Sequence, residues 1–473
     1  MKNKKFIIAT ILILLTFFFS YKILEVPTGL TVDEVALGYN ATLISRTGRD
    51  ENNRFMPVFV LSNGGADWKQ PLPQYYLVLL FKLFKPSLFL LRFSSVLITL
   101  LSFYLMYLLS TKIFSSSKAF FTAFIFITVP ILMIQSHMGL DNTIPIPLTI
   151  LWLYFLYSYS KKINYKHLLL SGLFLGLSFY SYKGMRAVFP VWYGITILYL
   201  INFRKNIFKQ LRPIIIFSLA SLPFLFISPL LNHFYPGAIF GGANPKINSF
   251  YDFIYPYIST FDLGFLFIKG DATLFHSTQM HGFFLLSTLP LFILGIYQAL
   301  NENKFSRFLL LAFFTAPFLY GTVSSVHRAS RLMCLLPIYA LICTYSLTLI
   351  KRKSVLLVIF LLILANYANF LNYYYNDYRK LSANIFGDLR SNESFKYLSQ
   401  ESIKLNLTPY VAQNISDPFF ESLYFPNGIN KIHQDNPSPS NSILLTQRED
   451  IPQMSNIHAN ILFYQILINK DEN

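Results

Sequence analysis

Apolar residues in this chain fall in long continuous runs separated by short polar turns, rather than in the alternations expected of a soluble amphipathic helix or a half-buried strand. These runs predict eleven membrane-spanning helices, near residues 6–24, 88–110, 119–134, 144–160, 167–182, 187–202, 213–231, 283–300, 308–321, 332–349 and 354–371. Pro130, Pro145, Pro147, Pro190, Pro223 and Pro337 interrupt or shorten several of them, which leaves room for one to be re-entrant. Two long loops, about 25–87 and 232–282, lie between spans, and a tail, 373–473, follows the last. The tail mixes polar stretches with strand-like runs at Tyr410–Ala412, Ser442–Thr446 and Asn460–Ile466, the pattern of a small α/β region. The expected organisation is thus a polytopic, otherwise all-α membrane domain over 1–372 and a separate C-terminal domain over 373–473.

Composition agrees with the pattern: 54% of residues are hydrophobic and 13% charged. A net charge of +17 would suggest nucleic acid in a soluble protein, so the placement of the charges decides its meaning. With the N-terminus inside, the cytoplasmic segments are 1–5, 111–118, 161–166, 203–212, 301–307 and 350–353. They hold 17 Lys or Arg against one acid, Glu302. The positive-inside rule therefore fixes the orientation, the basic excess faces the membrane and cytoplasm rather than nucleic acid, and the long loops and tail lie outside the cell in a plasma (inner) membrane. Lys2–Lys5 followed by Phe6–Phe19 imitates a signal peptide, but Ser20-Tyr21-Lys22 offers no small-x-small cleavage site and the segment reads as a retained first span. Cys334 and Cys343 stand on opposite sides of one helix and cannot pair with each other.

Candidate chemistry collects in the outer segments. The first loop opens on Thr31-Val32-Asp33-Glu34, two adjacent carboxylates that suit a base beside a group orienting substrate or a cation; the competing role is Asp33 as the cap of a following helix. Asp141, in His137-Met138-Gly139-Leu140-Asp141-Asn142, sits on the same side and likewise competes with a helix-cap role. Tyr182-Lys183-Gly184-Met185-Arg186 places two cations in an outer turn, as does His327-Arg328-Ala329-Ser330-Arg331, whose arginines share a helical face at i and i+3. Outer cations run against the inside trend and suit a phosphate, the alternative being snorkelling to lipid headgroups. Asp67-Trp68-Lys69-Gln70-Pro71 offers aromatic surface for sugar stacking or for interfacial anchoring. His276 and His281 are spaced badly for a helical zinc pair.

In this order and spacing the chain resembles the GT-C superfamily of polytopic transferases that use polyprenyl-phosphate sugars, near the protein O-mannosyltransferase and lipid A aminoarabinose transferase branch, over roughly residues 6–372. The resemblance rests on Asp33-Glu34 in the first outer loop, Asp141 in the second and the segment from Gly176 to Lys183-Gly184. It departs from the family in lacking an arginine just before Asp141, where His137 stands nearby. It implies Asp33, Glu34 and Asp141 as the catalytic acids, with Asp33 as base. It further implies Lys183, Arg186, Arg328, Arg331, His137 and Tyr182 as substrate-binding residues. Glu34 and Asp141 would orient substrate or hold a divalent cation, Mg or Mn, with metal dependence left open because relatives differ in it. The implied donor is a polyprenyl-phosphate sugar and the implied acceptor a hydroxyl of a protein, lipid or glycan, with inversion at the anomeric carbon. The alternative is a lipid-linked sugar flippase, which would place its polar groups at the bilayer midplane and show repeated halves; no repeat is apparent.

Overall fold

The computed structural model describes residues 2–203, 208–239, 249–323, 326–383, 385–386, 390–433, 439–447, 456–461 and 464–469. It is mostly helical, and each of the eleven predicted segments falls on helix. Five helices are long and apolar enough to cross a membrane, or seven if each of two bent pairs counts as one span. Part of the 203–212 segment expected to face the cytoplasm, part of the 232–282 loop, Ser324 and Ser325 lie outside the described residues.

The helix α1 (Lys2–Ser20) leads through an irregular segment to α2 (Val32–Thr47). The hairpin β1 (Val60–Ser62) and β2 (Asp67–Lys69) follows, then α3 (Pro71–Leu83), so the first long loop is itself largely structured. The membrane bundle continues with α4 (Leu88–Ile113), α5 (Ser116–Ile127), α6 (Pro130–Ser136), α7 (Pro145–Lys161), α8 (Tyr165–Ser178), α9 (Met185–Phe203) and α10 (Phe208–Ser221). Pro130 bends α5 from α6 by 62°. Proline lacks the N–H that an unbroken helix would need there. Short helices α11 (Pro223–Phe226) and α12 (Ser228–Phe234) continue α10 after a 41° bend at Pro223. The second loop carries α13 (Phe250–Ser259), and the bundle closes with α14 (Leu289–Glu302), α15 (Lys304–Thr315), α16 (Phe318–Val323), α17 (Leu336–Tyr345) and α18 (Lys353–Tyr373). The helix α17 is buried throughout, whereas α18 turns Val355, Leu357, Val358, Leu361 and Leu362 outward as a lipid-facing helix would.

Beyond the bundle, α19 (Arg379–Ser382) precedes an α/β region with α20 (Arg390–Leu405), β3 (Thr408–Ala412), α21 (Pro418–Tyr424), β4 (Asn430–Ile432), β5 (Ser442–Gln447), β6 (Asn456–Ile461) and β7 (Tyr464–Asn469). Its mixed sheet runs β4-β3-β5-β7-β6, parallel on both sides of β3 and antiparallel on both sides of β7. Two of the three expected strands match β3 and β5. The third, Asn460–Ile466, overlaps the end of β6 and the start of β7, which pair antiparallel, and residues 462–463 of it lie outside the described residues; an apolar run shared by two successive strands reads as one. This region sits on α2: Phe419 lies so close to Gly38 that a Cβ there would stand 2.8 Å from its ring, and Arg46 donates to the Ser422 carbonyl at 2.7 Å. One apolar core therefore joins α2, α3 and the start of α4 to the C-terminal sheet, and it holds the outer-loop helix that carries the acidic pair.

Candidate functional site

Thr31, not Asp33, caps α2. Its hydroxyl accepts from the Glu34 N–H at 3.1 Å, and Glu34 Oε2 accepts from the Thr31 N–H at 3.0 Å. Consecutive helical residues point about 100° apart, so the pair splits. Glu34 turns inward, fully buried, where Oε1 accepts from the Gly139 N–H at 2.9 Å and faces Arg92 Nε at 3.4 Å. Gly139 is required for that approach, since a Cβ on it would meet Leu91 Cγ at 2.5 Å. Arg92, also buried, donates to the carbonyls of Ile23 at 2.8 Å, Pro27 at 3.0 Å and Gly29, and so ties down the segment that delivers α2. Glu34 therefore positions the helix rather than facing substrate. Cutting one half of a buried ion pair leaves the other charge unpaired, so Glu34→Ala is expected to lose about 3 kcal/mol of stability, read as a fall in the melting temperature of the detergent-solubilised protein.

Asp33 faces outward with its side chain 60% exposed and is gripped by Lys69 Nζ. Residues two apart on a strand share a face, so β2 presents Asp67 and Lys69 together and turns Trp68 away, edge-on to Tyr235 with ring centroids 5.9 Å apart. Lys69, almost fully buried, bonds Asp67 Oδ2 at 2.9 Å, while Asp67 Oδ1 takes Lys183. The result is a chain of alternating charge, Asp33–Lys69–Asp67–Lys183. Against the burial that lowers it, Asp33 and Asp67 hold the Lys69 ammonium above the usual lysine value.

Asp141 begins a short 3-10 turn, Asp141–Thr143, and makes no side-chain cap. It lies within electrostatic reach of Lys69, Asp33, Asp67 and Lys183, and burial pushes its carboxyl up to about 7. Tyr182 stands between Asp141 and the second cationic group, with its hydroxyl against Ser330 and Arg331. Arg328 and Arg331 lie at the start of the 3-10 helix Ala329–Leu335, whose three-residue repeat puts them on one face. Arg331 Nη1 is buried with no hydrogen-bond partner among the described residues, and Arg328 makes a single long bond, 3.4 Å, to the Thr273 hydroxyl. Asp271 fixes this turn, accepting from the Ala329 N–H at 2.5 Å and from the Thr273 N–H at 2.8 Å.

Of the residues expected from the sequence, Asp33, Asp141, Tyr182, Lys183, Arg328 and Arg331 converge. Arg186 is beside them but committed to Gln70 and to the carbonyls of Ala238 at 2.8 Å and Ile239 at 3.0 Å, where it braces the base of the hairpin. His137 is fully buried, its Nδ1 3.0 Å from the Val26 carbonyl oxygen and 3.1 Å from the Tyr374 hydroxyl, so it packs the bundle and does not line the site. Lys69, Asp67 and His276 were not assigned a role from the sequence. The Asp-x-Lys alternation on a strand before Pro71 was the signal available for the first two. The residues offer a divalent cation, one of the two roles open to Glu34 and Asp141, little to bind: both oxygens of Glu34 are engaged, and among the described residues no three His, Cys, Asp or Glu side chains converge as metal ligands.

With this geometry in place, comparison with known proteins is informative. Residues 69–233 match the family model of dolichyl-phosphate-mannose-protein mannosyltransferases. The structure superposes on that of ArnT from Cupriavidus metallidurans bound to undecaprenyl phosphate with a TM-score of 0.62, at 10% identity, over 97% of this chain and 97% of that one. On the apo form of the same protein the TM-score is 0.63, at 11% identity, over 98% of each chain. The chain has the GT-C fold. The resemblance read from the sequence is borne out as far as the fold, shared end to end with ArnT, and the family model matched over residues 69–233. The oligosaccharyltransferase AglB from Archaeoglobus fulgidus, solved with an inhibitory peptide and a dolichol-phosphate, is more distant, with a TM-score of 0.49 and 10% identity over 89% of this chain and 64% of that one. No curated protein matches the chain.

Proposed function

We propose that this chain is a membrane glycosyltransferase that moves a sugar from a polyprenyl-phosphate carrier to an acceptor hydroxyl at the outer face of the plasma membrane. The observation that carries this reading is an exposed carboxylate, Asp33, gathered into one charged cluster with Lys183 through Lys69 and Asp67, and lying within electrostatic reach of the same histidine, His276, as Arg328 and Arg331. The undecaprenyl phosphate bound to ArnT and the mannosyl-phosphate lipid named for the matched family support the same donor class. The reading includes eleven spans with the N-terminus cytoplasmic, a catalytic domain over 1–372 and an outer C-terminal domain over 373–473, supported by the basic turns and by the docking of the α/β region on α2.

In this reading Asp33 takes the proton of the acceptor hydroxyl as its oxygen attacks the anomeric carbon from the face opposite the phosphate, so the configuration inverts. The bond from that carbon to the phosphate oxygen breaks, and the departing phosphate carries the electron pair. A phosphate monoester leaves readily once its growing charge is met by cations, which is the task of Lys183, Arg328 and Arg331. Lys69 holds Asp33 in place. Sealed vesicles bearing the protein are expected to transfer radiolabelled sugar from a lipid-phosphate donor to acceptor. In Lys183→Ala the donor KM should rise about tenfold, the loss of one charge-assisted bond. Label that crosses the membrane without covalent transfer would instead identify a flippase.

Asp141 supplies a pH test. Its carboxyl is neutral below about 7 and charged above, and the charged form opposes a phosphate bound nearby. The donor is a phosphodiester whose single charge does not titrate in this range. Donor affinity should therefore rise as pH falls from 8 to 6, and Asp141→Asn should hold the high-affinity value across the range. A wild-type affinity that does not change with pH would remove Asp141 from the site.

A further inference from the structure

His276 lies on the loop after Asp271, beside the site but outside every role assigned above. It is within electrostatic reach of Asp33, Arg328 and Arg331. A sugar joining a phosphate held by those arginines to a hydroxyl activated by Asp33 would lie within this group of residues, and His276 is tied into it on two sides of the sequence, through Gln135 to Asn142 beside Asp141 and through its own loop to Thr273, which Arg328 contacts. Its protonation pattern follows from its neighbours. Asn142 Nδ2 donates to Gln135 Oε1 at 2.6 Å, which turns the Gln135 amide nitrogen toward His276 Nδ1 at 3.0 Å. An amide nitrogen only donates, so Nδ1 accepts and the ring proton sits on Nε2. Burial lowers the pKa of the ring below that of a free histidine and keeps it neutral. Asp271, the nearest acid, is already occupied by the N–H groups of Ala329 and Thr273 and by the Thr273 hydroxyl, and Nε2 has no protein partner among the described residues.

We infer that His276, locked as the Nε2–H tautomer by the Asn142–Gln135 relay, is a sugar-binding residue of the site: an uncharged donor that reads a hydroxyl oxygen of the transferred sugar. A neutral N–H suits a hydroxyl, whereas the phosphate is already provided with cations. This inference rests on the transferase reading for its ligand but not for its tautomer, and the two are tested separately.

The first measurement is the 15N spectrum of histidine-labelled full-length protein in detergent at pH 7, with the His276 signals identified by their loss in His276→Gln. A protonated Nε2 and unprotonated Nδ1 are expected. A protonated Nδ1 or an imidazolium overturns the inference whatever the enzyme acts on. The second is binding of undecaprenyl phosphate and of undecaprenyl-phosphate mannose to wild type, His276→Ala and His276→Gln. The alanine variant should bind the bare carrier as wild type does and the mannosyl carrier about tenfold more weakly, the worth of one hydrogen bond, with partial recovery in the glutamine variant, whose amide N–H reaches near the Nε2 position. Equal loss for both ligands, or no loss for the mannosyl carrier, overturns the sugar contact. So does a wild type that binds the two carriers equally. If Lys183→Ala also binds the bare carrier as wild type does, it is the phosphate assignment that fails, and the spectrum still decides the tautomer.

Discussion

Purified Asp33→Asn protein should turn over about 10²-fold more slowly than wild type, or slower still, while melting at the same temperature. The two halves of that expectation have separate causes. Asparagine keeps the shape of aspartate and can still accept from Lys69, but its amide cannot take a proton from an acceptor hydroxyl, so an interaction made only in the transition state is lost and kcat falls with little change in donor KM. Stability is spared because Thr31 caps α2, the Asp33 side chain is 60% exposed, and its buried partner Lys69 keeps Asp67 as counter-charge. Glu34→Ala should behave in the opposite way, losing stability first. Near-wild-type turnover in a well-folded Asp33→Asn protein would remove the base from the mechanism.

The second large effect is expected at Lys69. Its side chain is 5% exposed and it is the cation shared by Asp33 and Asp67. Lys69→Met fills the same space but removes the cation between the two carboxylates, leaving Asp67 with Lys183 and Asp33 without a partner, and Asp33 then swings away from its neighbour. A misplacement of about 1 Å can cost 10²-fold, so kcat should fall by roughly 10- to 10²-fold. Lys69→Arg restores the charge with different geometry and should recover part of the loss. Steady-state kinetics on both variants, with the melting temperature as a control for folding, separates a positioning role from a structural one, which would move stability and leave kcat of the folded fraction intact.

The helical character of the apolar runs was legible in the sequence because lipid imposes a simple rule, that a spanning segment be apolar and satisfy its own backbone; every predicted run fell on helix, and five to seven of the helices are long and apolar enough to span. Asp33, Asp141, Lys183, Arg328 and Arg331 were legible for a related reason: charge outside the basic inner turns of such a chain demands a partner. What could not be read was which partner each residue takes. Arg92 looks like a stray charge within a long apolar run, and only the fold shows that it reaches Glu34 and three carbonyls and so removes Glu34 from the substrate face. His137 was attached to the site by its closeness in sequence to Asp141, yet the turn between them sends it into the bundle against Tyr374. The pairing of Lys69 with both Asp33 and Asp67 depends on a hairpin whose strands are three residues each, too short for alternation to announce. His276 was weighed only as a metal ligand, because its relay through Gln135 and Asn142 joins residues more than 130 positions apart in the chain, a separation no local pattern reports.

The whole account turns on a phosphate and the Asp33 carboxylate sharing one cavity at the outer end of the bundle. An electron cryomicroscopy structure of the wild-type chain with undecaprenyl phosphate tests this directly. The account predicts the phosphate within hydrogen-bonding distance of Lys183 or of the Arg328 and Arg331 guanidinium groups, with room for one sugar between it and Asp33. A phosphate seated elsewhere on the protein, or an Asp33 carboxylate shut off from it by intervening protein, would contradict it.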